Sequence, residues 1–165
     1  MKKIIRKKKP KKLTEGEFNI AWNALHSPEP TLGSNALFTL LSGGKEVLPT
    51  LLKVCEVPGE TKAKEITAAE VAPVLARLSH YRYLVREPAF DEFYRMGPNA
   101  VPHLKAAIEK ATSDELLRLQ HALNTYSTIK ANEHLRLRRT AILLRHFDDA
   151  DAKSLLAKIE KVLGQ

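Results

Sequence analysis

Apolar residues recur along this chain in helical stripes. Phe18, Ala21, Trp22 and Leu25 stand at i, i+3, i+4 and i+7, a spacing that lines one face of an α-helix. Val71, Val74, Leu75 and Leu78 repeat it, and Leu116, Leu119 and Leu123 form a third stripe. No window shows the alternation of short half-buried strands. With the punctuation by Gly, Pro and polar runs, the pattern predicts an all-α chain of about nine helices. Their expected spans are 15–26, 35–42, 45–55, 68–79, 83–96, 99–111, 114–127, 133–146 and 150–163. Segment 56–66, polar and carrying Pro58-Gly59, is predicted as the longest internal loop. Pro88 is expected in a first turn, which moves the start of the fifth helix beyond 83.

The stripes belong to a longer self-similarity. A shift of 53 residues carries the capping box Thr14-x-x-Glu17 onto Thr67-x-x-Glu70. It then carries Ala36, Leu37, Leu40 and Leu41 onto Ala89, Phe90, Phe93 and Tyr94, and Gly44 onto Gly97. Both glycines suit a left-handed position at a helix end. Pro49-x-Leu51 falls on Pro102-x-Leu104, where proline is tolerated because early helical N–H groups have no intrahelical partner. A looser third copy starts at Thr112-x-x-Glu115, with Asp148 where the others have glycine. No copy can cover its own stripes, so stacking of three units into a short solenoid is expected, an up-down bundle being the alternative.

Charge changes the picture at one end only. Residues 1–12 hold 8 of the 27 Lys and Arg, and the other 19 balance 19 acids. The expected organisation is a disordered basic tail over 1–13 and a helical repeat domain over 14–165. The tail has no aromatic residue to stack on bases and no apolar core of a signal peptide. No run is long and apolar enough for a membrane span, and the single cysteine, Cys55, excludes an intrachain disulfide; a cytoplasmic protein is expected.

The segment Val85-Arg86-Glu87-Pro88-Ala89-Phe90-Asp91-Glu92-Phe93, followed by Gly97 and Val101-Pro102-x-Leu104, resembles a HEAT repeat. Together with Leu78-Ser79-His80 and the run from Ala152 to Ile159, the chain over roughly 14–160 resembles the α-helical region beyond the propeller in certain planctomycete WD-repeat proteins. The resemblance implies an armadillo-like α-α fold, a short HEAT-like α-solenoid, and an interaction role without a reaction. The chain carries no propeller, has Pro88 where the pattern has Ala, and has Asp148 where it has Gly.

Candidate chemistry is sparse. Cys55 lies in an apolar run and is expected to be a small buried hydrophobe. The six histidines form no His-x-x-x-His pair and no cluster with cysteine. Asp148-Asp149-x-Asp151 is expected to open a helix, with Asp149 as its cap. Ser42-Gly43-Gly44-Lys45 lacks the outer residues of a phosphate loop. Trp22 is expected in the core, while Tyr81 and Tyr83 flank a turn and stay open between core and binding. Arg86 and Arg138 hold equivalent repeat positions and are expected to brace neighbouring units through acids. The residues set apart for phosphate or acidic-partner contact are Lys7, Lys8, Lys9, Lys11 and Lys12 in the tail and Arg136, Arg138, Arg139 and Arg145 in the body. The expected function is a non-catalytic protein-binding or scaffold module without cofactor. The alternative is a nucleic-acid binder using the tail and the arginine-rich face.

Overall fold

The computed structural model describes residues 11–57 and 65–164. Tail residues 1–10, with Lys7, Lys8 and Lys9, and most of the expected 56–66 loop lie outside them. All regular structure among the described residues is helical. The elements are α1 (Glu15–Ala24), α2 (Pro30–Ser42), a 3-10 turn (Gly44–Val47) running into α3 (Leu48–Val54), α4 (Ala68–Leu78), α5 (Tyr83–Met96), a second 3-10 turn (Pro98–Ala100) running into α6 (Val101–Ile108), α7 (Ser113–Leu144) and α8 (Ala150–Leu163). No described helix is long and apolar enough to cross a membrane.

Local chemistry sets these ends. The Thr14 hydroxyl accepts the Glu17 N–H at 3.2 Å while the Glu17 carboxylate accepts the Thr14 N–H at 2.9 Å. Thr67 and Glu70 repeat the exchange at 3.3 and 2.9 Å. Each box satisfies two backbone donors that a helix start otherwise strands. Asp149 caps α8 as expected, accepting from the N–H groups of Asp151 and Ala152. Gly44 and Gly97 both take positive φ, at 59° and 77°, where a Cβ is strained.

Three expectations are corrected. First, α2 begins at Pro30, not at 35. Gly33, Ser34 and Asn35 are weak helix formers that hide its first turns, but Pro30 is preset for a helix start. Second, α5 begins at Tyr83 and holds Pro88 in its interior. Third, the helices expected over 114–127 and 133–146 are one, so the described residues form eight α-helices rather than nine. Residues 128–132 contain neither Gly nor Pro, and 127–136 bury no side chain. The stripe stops there because burial stops, not because the helix does.

The chain clusters into two compact units, Met1–Pro58 with Asn132–Gln165, and Gly59–Ala131. In the first, Phe18, Trp22, Leu25 and Leu40 pack with Leu137, Leu144 and Ile159. Lys11 and Leu13, placed in the tail by the sequence pattern, already take part: the Lys11 N–H donates to the Ser42 carbonyl at 2.8 Å and Leu13 packs on the core. In the second, Val71, Val74, Leu78 and Phe93 pack with Leu119 and Tyr126. The 53-residue shift survives in three dimensions: α1, α2 and α3 start at 15, 30 and 48, and α4, α5 and α6 at 68, 83 and 101. Buried positions follow the same shift, Ala36 with Ala89, Leu40 with Phe93, Val47 with Ala100 and Leu51 with Leu104. The looser third copy forms no third core among the described residues. The first part of α7 completes the core of the second unit, and its remainder with α8 completes that of the first.

Candidate interaction surface at the α4–α5 turn

The last carbonyls of a helix lack intrahelical donors, and both copies meet this need with arginine. In the first unit Arg139 of α7 donates from one nitrogen to the Leu25 and Ser27 carbonyls, 2.7 Å each, at the end of α1. Its guanidinium lies on Gly33, where a Cβ would stand 2.0 Å from the guanidinium carbon. In the second unit Arg86 donates to the His80 and Tyr81 carbonyls at 2.9 and 2.8 Å, and Arg118 to the Ser79 carbonyl at 3.0 Å. The repeat shift places Gly33 on Arg86, so position 33 is empty of side chain where a guanidinium from elsewhere fills the space. Arg86 thus braces backbone, not acids. Arg138, its expected equivalent, is exposed and has no ion pair among the described residues.

The two turns diverge in their other side chains. The first carries Ser27-Pro28-Glu29-Pro30-Thr31, the second His80-Tyr81-Arg82-Tyr83-Leu84. Tyr81 is 65 % exposed, Tyr83 61 % and Leu84 80 %. Leu117, beside Arg118 on α7, is 72 % exposed. The tyrosine rings are oriented by cations and an imidazole. The His80 and Tyr81 rings stack at 4.6 Å, the Arg82 side chain donates to the Tyr81 hydroxyl at 2.8 Å and lies 5.4 Å from its ring centre, and Arg86 lies 5.7 Å from that of Tyr83. No carboxylate forms an ion pair with Arg82, Arg86 or Arg118 among the described residues. The Glu115 carboxyl is held below its ordinary value first by hydrogen bonds from Thr112 and only lastly by the charge of Arg118.

Among the described residues, those set apart by sequence are not brought together as one free basic face. Lys11 pairs with Glu17 at 2.5 Å and, with the Thr14 bonds, lowers that carboxyl to about 2. Lys12 is exposed. Arg136 lies over the Trp22 ring at 5.2 Å, Arg139 is spent on carbonyls, and Arg145 pairs with Glu160 at 2.7 Å. Trp22 is buried, as expected. Cys55 is buried, and burial pushes its thiol up to about 11 against the opposing charge of Arg136. A shallow hollow of about 270 Å³ lined by Ile66, Glu70, Glu92, Arg95 and Met96 holds no nucleophile beside a base. Among the described residues no three His, Cys, Asp or Glu side chains converge as a metal site.

Leu84 and Leu117 are not among the residues that the sequence pattern sets apart. A signal was present: Leu117 stands off the Leu116, Leu119, Leu123 stripe, and Leu84 lies where the aligned first copy has Thr31. Comparison with protein-family models, with curated proteins and with solved structures gives no match.

Proposed function

We propose that this chain is a non-catalytic, HEAT-like α-α repeat module that binds another protein in the cytoplasm through the α4–α5 turn. The observation that carries this reading is the contrast between the copies. Over 27–31 the first turn has no tyrosine or leucine, so a turn of this kind forms without Tyr81, Tyr83 and Leu84, which stand exposed to water. Tyrosine and arginine are enriched in protein interfaces, where rings and guanidiniums supply large contact area at modest entropic cost. The two helical copies at one shift support the HEAT-like reading and, with it, the resemblance to the post-propeller regions.

The test is site-specific photo-crosslinking in lysate of the protein's own cells, with a crosslinking phenylalanine at position 84 or 117 and a control at exposed Glu15. Shared discrete protein adducts from 84 and 117, absent from the control, support the proposal. Adducts from all three positions, or from none, oppose it.

The tail charge favours a second reading, nucleic-acid binding by residues 1–12. Fluorescence anisotropy with duplex DNA and with single-stranded DNA and RNA separates the two. It should compare the full chain with a chain lacking 1–10, which keeps the Lys11 pair. Each phosphate neutralised on duplex DNA contributes a log–log salt slope of about −0.9. Binding that disappears with the tail assigns it to the tail. Binding that stays with the body replaces the protein-binding proposal.

A further inference from the structure

We infer that the α4–α5 surface takes a short acidic peptide, a segment with one or two large apolar side chains flanked by Asp or Glu. This rests on the protein-binding reading and gives its partner a chemistry.

Three guanidiniums, of Arg82, Arg86 and Arg118, converge on one end of the second unit through their bonds to Tyr81, His80 and Ser79. Their partners are carbonyl oxygens and a phenol. Such dipoles orient a charge without cancelling it, so each guanidinium keeps a charge that a carboxylate can meet. The acids beside these arginines on their own helices are Glu115, held by Thr112, Asp114, exposed one turn before Arg118, and Glu87, exposed next to Arg86, and none of them forms an ion pair with the three guanidiniums among the described residues.

The same two helices carry exposed leucines next to these arginines in sequence: Leu84 between Arg82 and Arg86, and Leu117 before Arg118. Exposed leucines are no use to a phosphate backbone, and they suit the apolar anchor of a peptide. The tyrosines point the same way. Arg82 lies over the Tyr81 ring and Arg86 over that of Tyr83, so one face of each ring is occupied rather than open for a base to stack. The surface amounts to a few side chains at one turn, a peptide-sized footprint. Residues 1–12 of the same chain do not fit it, since lysine and arginine would meet arginine.

The probe is a display library of random 12-residue peptides selected on the immobilised full chain. Enriched sequences are re-measured by anisotropy as labelled peptides, and a mixed-sequence single-stranded RNA is measured beside them. The expected result is a family with Asp or Glu beside Leu, Phe or Trp. Its binding should fall about tenfold or more in Arg82→Glu and in Leu84→Ala, and weaken with salt. Replacing its acids by lysine should restore binding to Arg82→Glu. A neutral or basic family that is lost in Leu84→Ala but indifferent to Arg82→Glu overturns the acidic-peptide inference and leaves the protein-binding reading standing. No family sensitive to Leu84→Ala, or RNA binding that is lost in Tyr81→Ala, overturns both. Unchanged thermal melts of the variants exclude misfolding as the cause.

Discussion

After α1 the guanidinium of Arg139 fills the space that Gly33 leaves open and bonds the Leu25 and Ser27 carbonyls, while after α4 Arg86 of α5 bonds the carbonyl of His80, the counterpart of Ser27 at the 53-residue shift, and that of Tyr81. Two sequence solutions thus serve one backbone need. Arg139→Ala strands two carbonyls and should cost about 2 kcal/mol, as charged hydrogen bonds do. Gly33→Ala should destabilise the wild-type chain, because the new methyl expels the guanidinium. In the Arg139→Ala background the same change should be neutral or stabilising by up to about 1 kcal/mol, the helix propensity gained. Urea melts of the four chains measure this coupling, and strictly additive losses would remove Gly33 from the account. Cys55 makes a separate prediction. Its folded pKa lies above the ordinary 9.0, at about 11, so its contribution to stability is full below 9 and is lost as pH rises towards 11. The native thiol should resist an aromatic disulfide reagent at pH 8 and react once urea unfolds the chain. Rapid stoichiometric labelling of native protein would place Cys55 at the surface instead.

At the scale of elements, the helix starts are local and the long helix is not. Thr14→Ala and Thr67→Ala should each cost about 1 kcal/mol in thermal or urea melts. Glu17 sets the acid response of α1: with its pKa lowered to about 2, its contribution is present above the ordinary 4.5 and is lost as pH falls through 2. Carboxyl NMR titration should find that low value and see it rise in Lys11→Ala. An unmoved value would show that the Lys11 pair is not the leading cause. In α7, burial is concentrated at Leu119, Ala122 and Tyr126 and again from Leu137 to Leu144, with none over 127–136. Thr125, Ser127 and Thr128 also turn their hydroxyls back on the helix carbonyls of His121, Leu123 and Asn124. Amides of 128–136 should therefore exchange with solvent faster than those of both flanks. Uniform protection along α7 would contradict this.

For the whole molecule, the two units carry separate optical probes. The only tryptophan, Trp22, lies in the first unit, and all four tyrosines, 81, 83, 94 and 126, lie in the second. Removing residues 150–165 takes Ala152, Leu155 and Ile159 from the first core and nothing from the second. Trp22 fluorescence should then report a transition at markedly lower urea, or none. The near-UV tyrosine signal of the Phe93, Tyr94 and Tyr126 cluster should keep its midpoint. A shared loss of both signals would mean that the second unit does not hold its core by itself.

The sequence by itself determined what depends on neighbours a few residues away. Stripes at helical spacing, Thr-x-x-Glu boxes, Asp149, and the glycines at 44 and 97 placed α1, α4 and α8 at or near their ends and closed α5, because hydrogen bonds and sterics within one turn decide such features. The pairing of the copies at 53 residues was legible for the same reason. Only the tertiary structure decided what depends on partners far along the chain. It made 127–136 helical although nothing is buried there, and it drew α8 and the remainder of α7 into the core of the first copy rather than into a third. It also tied Arg136, Arg139 and Arg145 to Trp22, backbone and Glu160, and it left Tyr81, Tyr83, Leu84 and Leu117 in water. Burial is a property of the packed chain, so no pattern along the sequence could say which arginine is spent and which leucine is bare.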